Sequence, residues 1–455
     1  MKATKSNILG TEPILPLLFK LSIPSILSMF IQALYNVVDS IFVAKISENA
    51  LAALSIAFPI QLILIAIGVG TGIGTSSLIS RLLGQDNAKK ASNVAKHVLI
   101  IAIIYGILTA LIGIFFSKSI IKLFTHNPAL IKYGAEYIQV ILIGSIAVFI
   151  PTIANNILRG EGNTFIPMIT MLIGSILNTI LDPLFIFGYG FFPELGVQGA
   201  ALATILARII SGSFILWMLF TGNHQVKLNF EKFKIDKSII KGIYSVALPS
   251  IIMQCLGSFM ISGFNLLLSP YSATAIAAMG IYFRLQSFVF MPVFGLNQGY
   301  IPIMGYNYGH KNPDRMKQTM KYSLLISFTF TTIGCIIFQL FPENLIRLFG
   351  NSTDLLTIGK DALKTISIAF PIIGPAIIGS TTFQAIGKGI PSLIISFLRQ
   401  MILLLPIGYL LLSWKGLHAV WYAFPISEFI SIIFLIVWLK KTLHKVYYDM
   451  KKAAQ

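Results

Sequence analysis

Charge is scarce in this chain of 455 residues, and acidic charge scarcest of all. Asp, Glu, Lys and Arg together make up 11% of it, with 16 acidic residues against 34 basic ones. A soluble protein carries about 25% charged residues, so this chain has too little polar surface to clothe a water-soluble globule. Soluble enzymes, nucleic-acid-binding domains and disulfide scaffolds are excluded on that ground. Only two cysteines occur, Cys255 and Cys335, both inside apolar stretches, where they read as small buried hydrophobes and not as a disulfide framework. The six histidines are scattered, and the chain has no HExxH pair, Cys/His cluster, P-loop or GxSxG elbow. No enzyme activity and no cofactor are expected.

Hydrophobic residues, at 56%, are abundant. A helix needs roughly 20 apolar residues to cross a hydrocarbon core of about 30 Å. Twelve such stretches can be placed near 15–44, 51–79, 94–116, 130–156, 163–187, 196–220, 239–268, 274–304, 317–340, 355–385, 390–413 and 417–439. Met1–Phe19 lacks an apolar h-region before a small-residue cleavage site, so no signal peptide is expected and the first stretch is itself a span.

The net charge of +18 is distributed unevenly. Arg81, Lys89, Lys90 and Lys96 follow the second stretch; Lys227, Lys232, Lys234, Lys237 and Lys241 fill a central linker. Lys311, Arg315, Lys317 and Lys321 follow the eighth, and Lys440, Lys441, Lys445, Lys451 and Lys452 form a tail. The loops near Glu194 and Pro270 carry almost no basic residues, although Lys118, Lys122 and Lys132 blur the contrast. The positive-inside rule then places both termini and the linker in the cytoplasm. The lysines lack the interleaved aromatics of a nucleic-acid surface.

An offset of 225 maps the first half onto the second. Pro24-Ser25-Ile26 meets Pro249-Ser250-Ile251, Ala52-Ala53 meets Ala277-Ala278, and Phe58 and Gln61 meet Phe283 and Gln286. Gly70, Gly74, Gly84 and Gly162 meet Gly295, Gly299, Gly309 and Gly387, and Leu123-Phe124 meets Leu348-Phe349. Further on the offset shortens, with Gly196 against Gly416 and Ser211 against Ser431. The expected fold is an all-α polytopic membrane protein of two six-helix repeats related by a pseudo-two-fold along the membrane normal. Its parts are an N-terminal lobe 1–220, a basic linker 221–238 and a C-terminal lobe 239–455 with the basic tail. Duplicated lobes of this kind belong to secondary transporters more often than to membrane enzymes or receptors.

Ionisable groups deep in such stretches are costly, about 2.5–3.5 kcal/mol or more each, and mark functional sites. Asp39 lies inside the first stretch and Asp182 deep in the fifth. Asn178 stands four residues before Asp182 and shares its helical face. Pro183 removes the helical donor to the Thr179 carbonyl. These are hard oxygen donors of the kind a small cation accepts, giving a possible Na⁺ site at Asp39, Asn178 and Asp182. Phe264 stands at the counterpart of Asp39, and Met401 and Leu405 at those of Asn178 and Asp182, so the ionisable chemistry belongs to the first half alone. Arg208 in the sixth helix has Glu428 as its counterpart. Arg284 and Arg399 read as snorkelling side chains, and Arg159 and Glu161 as parts of a tight turn. Pro24 and Pro249 are matched kink positions in the first and seventh helices.

The chain resembles the multidrug and toxic compound extrusion (MATE) family over essentially its whole length. The resemblance rests on the Pro24 position and Tyr35-Asn36-Val37-Val38-Asp39 in the first helix, Arg81-Leu82-Leu83-Gly84 in the second, and Leu158-Arg159-Gly160-Glu161-Gly162-Asn163-Thr164 after the fourth. Asn178-Thr179-Ile180-Leu181-Asp182-Pro183 in the fifth and Gly196-Val197-Gln198-Gly199-Ala200-Ala201 with Ala203-Thr204 in the sixth complete it. It implies a drug/cation antiporter whose cation-coupling site comprises Asp39, Asn178, Asp182 and Thr204, with Tyr35 beside them. Met253-Gln254-Cys255-Leu256-Gly257 supplies no acid in the seventh helix, unlike sodium-coupled NorM proteins, and the pattern is closer to the MepA-like bacterial branch.

The expected mechanism is alternating access in a bacterial inner membrane by a functional monomer, with export of apolar cationic or zwitterionic compounds in exchange for H⁺ or Na⁺. Two neighbouring carboxylates cannot both be ionised cheaply at low dielectric, and a bound proton or Na⁺ neutralises them. Met29, Phe30, Met253 and Phe259 are candidate walls of the substrate cavity. A flippase for a lipid-linked cell-envelope precursor is the alternative, supported by no more than Arg208 and Arg284. A non-transporting scaffold would leave Asp39 and Asp182 without a purpose.

Overall fold

The structure, a computed structural model, describes residues 7–190, 192–230 and 233–452; Lys232 of the basic linker lies outside them. The described residues form helices and no strand. The first half comprises α1 (Ile8–Thr11), α2 (Ile14–Ala44), α3 (Glu48–Gly84), α4 (Ala88–Lys122), α5 (Pro128–Ile143), α6 (Ile146–Gly160), α7 (Phe165–Phe187) and α8 (Gly196–Thr221). The second comprises α9 (Lys237–Leu268), α10 (Ala273–Gly309), α11 (Pro313–Leu340), α12 (Pro342–Arg347), α13 (Thr353–Ser367), α14 (Phe370–Ala385), α15 (Gly389–Phe397), α16 (Leu405–Lys415), α17 (Leu417–Val420) and α18 (Ala423–Lys452). Among the described residues ten spans are long and apolar enough to cross a bilayer. Two bent pairs, α5 with α6 at 50° and α13 with α14 at 51°, bring the number to twelve when each pair is one span.

The duplication is visible in the caps that start and stop these helices. Ser47 accepts from the Ala50 N–H at 3.0 Å, and Ser272, 225 positions on, accepts from Ala275 at 3.2 Å. Asn87 and Asn312 cap α4 and α11 through Lys90 and Arg315, at 3.0 and 3.1 Å. Each side chain satisfies an N–H that the first helical turn leaves without a partner. Asp86 and Lys311 both adopt left-handed backbone, with φ of 56° and 55°, and so do Gly162 and Gly387. Helices that end on a left-handed residue turn sharply into the next element.

Local chemistry also explains where the halves differ. α4 is continuous, whereas its counterpart breaks at Phe341 into α11 and α12 because Pro342 cannot donate to the helix. Between α15 and α16, Leu398–Leu404 widens into a π-helix, just where Pro406 withholds a donor from the Ile402 carbonyl. The expected basic tail is no separate segment, since α18 runs unbroken to Lys452.

By contact the chain forms two compact units. One is Ile23–Ala247; the other is the described part of Met1–Ser22 together with Leu248–Gln455. The division therefore falls inside α2 and α9, just ahead of Pro24 and Pro249, and not at the linker boundaries expected from sequence. A proline removes the hydrogen bond that would tie the two parts of the helix together. Counterpart glycines receive the crossing segments: a Cβ on Gly74 would stand 2.5 Å from the Ile243 carbonyl, and one on Gly299 2.8 Å from Ser22 Oγ. In the second unit the start of the chain is pinned by Asn307, which donates to the Leu9 carbonyl at 3.2 Å. Arg315 donates to the carbonyls of Leu9 and Glu12 at 3.1 and 2.8 Å.

In the first unit the linker is strapped onto α4 and α6. The Val226 N–H donates to Glu161 Oε1 at 2.6 Å, Lys227 N–H to Ser92 Oγ at 2.9 Å, and Asp236 N–H to His97 Nε2 at 2.8 Å. His97 Nδ1 in turn reaches the Asn93 carbonyl at 2.7 Å, so its proton sits on Nδ1. His224 lies 3.4 Å from Glu161, and hydrogen bonding to that carboxylate holds its pKa above the ordinary range.

Candidate functional site

Asn178 and Asp182 project from one face of α7, and the Asn178 amide donates to Asp182 Oδ1 at 3.0 Å. The same amide stands 3.4 Å from Thr204 Oγ1 on α8, a long contact. Asp182 is completely buried, Asn178 and Thr204 nearly so. Asp39 on α2 brings its carboxyl against that of Asp182, and Tyr35, one turn earlier, meets Thr204. The five residues expected at the site thus come together within the unit Ile23–Ala247.

The contact between α7 and α8 depends on Gly199. A Cβ there would lie 2.3 Å from the Phe185 carbonyl, so only glycine lets α8 run close enough to set Thr204 beside Asn178.

Asp39 Oδ1, Asp182 Oδ2 and Asn178 Oδ1 are buried with no hydrogen-bond donor. A bond between the two carboxyls requires one of them to carry a proton. Burying such oxygens without donors is costly, and a bound proton or small cation would offset that cost. Among the described residues no group of three or more His, Cys, Asp or Glu gathers as a metal cluster. The donors at Asp39, Asp182 and Asn178 are hard oxygens, which suit Na⁺ or H⁺ and not a soft transition metal.

Beside these groups is a cavity of about 50 Å³, walled by Tyr35, Asn155, Asn178, Thr204 and Arg208. Sites for drug-sized ligands span about 300–1,000 Å³, so a cargo of that size needs a wider opening than this one. Asn155 and Arg208 were not among the expected site residues. Asn155 Oδ1 is a further buried oxygen without a donor. Gln61 and Tyr137, joined at 2.7 Å, add a polar pair from α3 and α5, with Tyr137 within electrostatic reach of both aspartates. A polar residue in an apolar helix was the available signal for Asn155; nothing local distinguished Tyr137.

The remaining expected residues lie elsewhere. Met29 and Phe30 belong to one unit and Met253 and Phe259 to the other, and none of them lines this cavity. Arg399 is paired and not merely snorkelling: its Nη1 is 3.2 Å from Glu428 Oε1, inside the second unit. At the repeat positions of Asp39, Asp182 and Thr204 stand Phe264, Leu405 and Phe424. Phe264 and Phe424 pack with ring centroids 4.9 Å apart, and Leu405 packs against the same apolar core. The second half keeps the arrangement and replaces its chemistry with a dry core.

The family model for MatE matches residues 24–184 and again 249–410, two matches whose starts are 225 positions apart. A protein of Shewanella oneidensis named FAD transporter is 28% identical over 92% of this chain and 92% of its own length. The multidrug export protein MepA of Staphylococcus aureus is 26% identical over 96% of this chain and 97% of its own. The solved structure of a MOP superfamily transporter from Pyrococcus furiosus superposes with a TM-score of 0.91 at 28% identity, covering 98% and 99% of the two chains.

Proposed function

Because the chain belongs to the MatE family of multidrug efflux transporters, we propose that it exports apolar cationic or zwitterionic compounds in exchange for H⁺ or Na⁺ bound between Asp39 and Asp182. It is a multi-span membrane transporter of small molecules and not an enzyme. The observation that carries the coupling proposal is the pair of carboxyls that each hold a buried oxygen with no donor.

Each group has a role in this reading. Asp182 and Asp39 take up the ion, Asn178 holds Asp182 in place, and Thr204 and Tyr35 close the other side. Neutralising the pair removes the cost of a buried negative charge and lets α2 bend at Pro24, so that the two access states differ in their affinity for the ion. Pro249 gives α9 the same freedom. The second half contributes no ion chemistry, which makes one coupling site per molecule. A monomer in the inner membrane, with both termini in the cytoplasm, suffices for this cycle.

Efflux of a fluorescent cationic dye from cells expressing wild type, Asp39→Asn or Asp182→Asn tests the proposal. Both variants are expected to lose at least about tenfold in rate, the cost of about 1.4 kcal/mol of lost stabilisation. Unchanged efflux in both sinks the coupling role. Proteoliposomes driven by a proton or a sodium gradient alone identify the ion.

A second reading takes its support from Arg208. It is the one basic residue on the cavity wall among the described residues, and one relative is named for FAD, an anionic dinucleotide. Proteoliposomes loaded with FAD or with dye separate the readings, since an anionic cargo requires FAD release and no dye release.

A further inference from the structure

In the second unit a groove of about 1090 Å³ opens between α11 and the end of α18, and one end of it is strongly basic. Lys317 and Lys321 stand one turn apart on α11, and Lys440, Lys441 and His444 face them from α18. No acidic side chain lines the groove. Asp314 is paired with Lys317 at 3.5 Å, with both groups exposed, and so contributes little. Beyond the lysines the walls turn apolar, with Leu324, Phe328 and Pro375. From Lys317 to Phe328 is 11 residues, about 16 Å along a helix, which is half of a hydrocarbon core of about 30 Å.

The repeat supplies a comparison within the chain. Ser92 and Lys96 are the counterparts of Lys317 and Lys321, and His224 and Lys227 those of His444 and Tyr447. In the first unit this surface is covered by the linker, through the Lys227 bond to Ser92 and the Asp236 bond to His97. In the second unit the matching stretch belongs to the unbroken α18, and among the described residues no such strap crosses the groove. One polar atom also lacks a partner there: the Tyr447 hydroxyl is buried, borders the groove, and has no hydrogen bond, while Lys317 Nζ lies 5.3 Å from its ring.

We propose that this groove binds an anionic phospholipid, with the phosphate held by Lys321, Lys440, Lys441 and the Tyr447 hydroxyl and an acyl chain laid along Leu324 and Phe328. Basic pockets between membrane helices recognise anionic headgroups in this way, because each lysine near a charged headgroup adds attraction and the adjoining apolar wall accepts the chain. Which leaflet supplies the lipid rests on the orientation proposed above; the binding itself does not.

Native mass spectrometry of the full-length protein in detergent, with dioleoyl phosphatidylglycerol and dioleoyl phosphatidylcholine at equal concentration, tests this. Wild type is expected to retain the anionic lipid about tenfold more than the zwitterionic one. Lys321→Gln/Lys440→Gln/Lys441→Gln is expected to reduce that preference to about twofold or less, while the corresponding triple arginine variant keeps it. Lys118→Gln/Lys122→Gln/Lys132→Gln, which removes the same charge elsewhere, is expected to change nothing. Tyr447→Phe, a small change that leaves the fold intact, is expected to lower retention of the anionic lipid about tenfold through one lost hydrogen bond to a charged group. No preference in wild type, equal loss in the Lys118/Lys122/Lys132 variant, or displacement of the lipid by an equal concentration of glycerol 3-phosphate overturns the proposal.

Discussion

Asn178 holds Asp182 through one hydrogen bond of 3.0 Å, whereas its contact with Thr204 is 3.4 Å and correspondingly weak. The two partners should therefore differ in effect. A hydrogen bond to a charged group contributes about 1.5–3 kcal/mol, so Asn178→Leu is expected to slow efflux by about tenfold or more, and Thr204→Val by only about two- to threefold. Dye efflux at matched expression checks the order, and a larger effect at Thr204 contradicts it. At this scale the sequence was informative where a residue was out of place chemically. Asp39, Asn178 and Asp182 could be found because apolar helices should exclude them. Arg208 and Arg399 were visible but not their directions: one lines the cavity, and the other is paired with Glu428 across 29 positions. Side-chain partners between helices follow from packing, which periodicity does not encode.

The helices carry the next layer of determination. α7 and α8 meet closely because of Gly199, and Gly199→Ala forces a Cβ against the Phe185 carbonyl. Overpacking of this sort costs about 1–3 kcal/mol, so a lower unfolding temperature in detergent and slower efflux are expected together. Gly280→Ala is the control, since nothing lies within 4 Å of a Cβ there, and it should leave both unchanged. The linker makes a different prediction. Hydrogen bonding to Glu161 raises the pKa of His224 above the ordinary value near 6.5. A group whose folded pKa is raised contributes stability that is complete below the unfolded value and is lost as pH rises through the folded one. The unfolding-temperature difference between wild type and His224→Gln is thus expected to be largest below about pH 6.5 and to fade at higher pH. A difference that stays constant with pH removes the ion pair from the account. Caps such as Ser47 and Asn87 are local chemistry, each within three residues of its partner. The strap is not, since the bonds from Val226 to Glu161 and from Asp236 to His97 span 65 and 139 positions.

At the scale of the molecule, duplication was read from an offset of 225, and the caps and left-handed residues repeat it closely. The units as packed were not readable. The two crossing points sit inside uninterrupted helices, and composition does not change there. Duplication also bears on the proposed coupling, which uses one half alone. Phe264 and Leu405 occupy the places of Asp39 and Asp182, but Phe264 is completely buried among aromatic rings. Phe264→Asp/Leu405→Asp is accordingly expected to yield no folded protein and not a second coupling site. Loss of a buried phenylalanine alone costs about 3–5 kcal/mol, before the unpartnered carboxyls are counted. Recovery of stable variant protein from membranes, assayed by size-exclusion chromatography, would contradict this.

The pinning of Leu9 and Glu12 by Asn307 and Arg315 has a consequence in time. Those partners are separated along the chain by 298 to 306 positions. Synthesis at about 5–20 residues per second makes the opening segment wait roughly 15–60 s for its binding surface to leave the ribosome. For that interval the first half must be held in the membrane with its leading end undocked. The docking of Leu9 and Glu12 is then a step that cannot precede the appearance of Asn307 and Arg315.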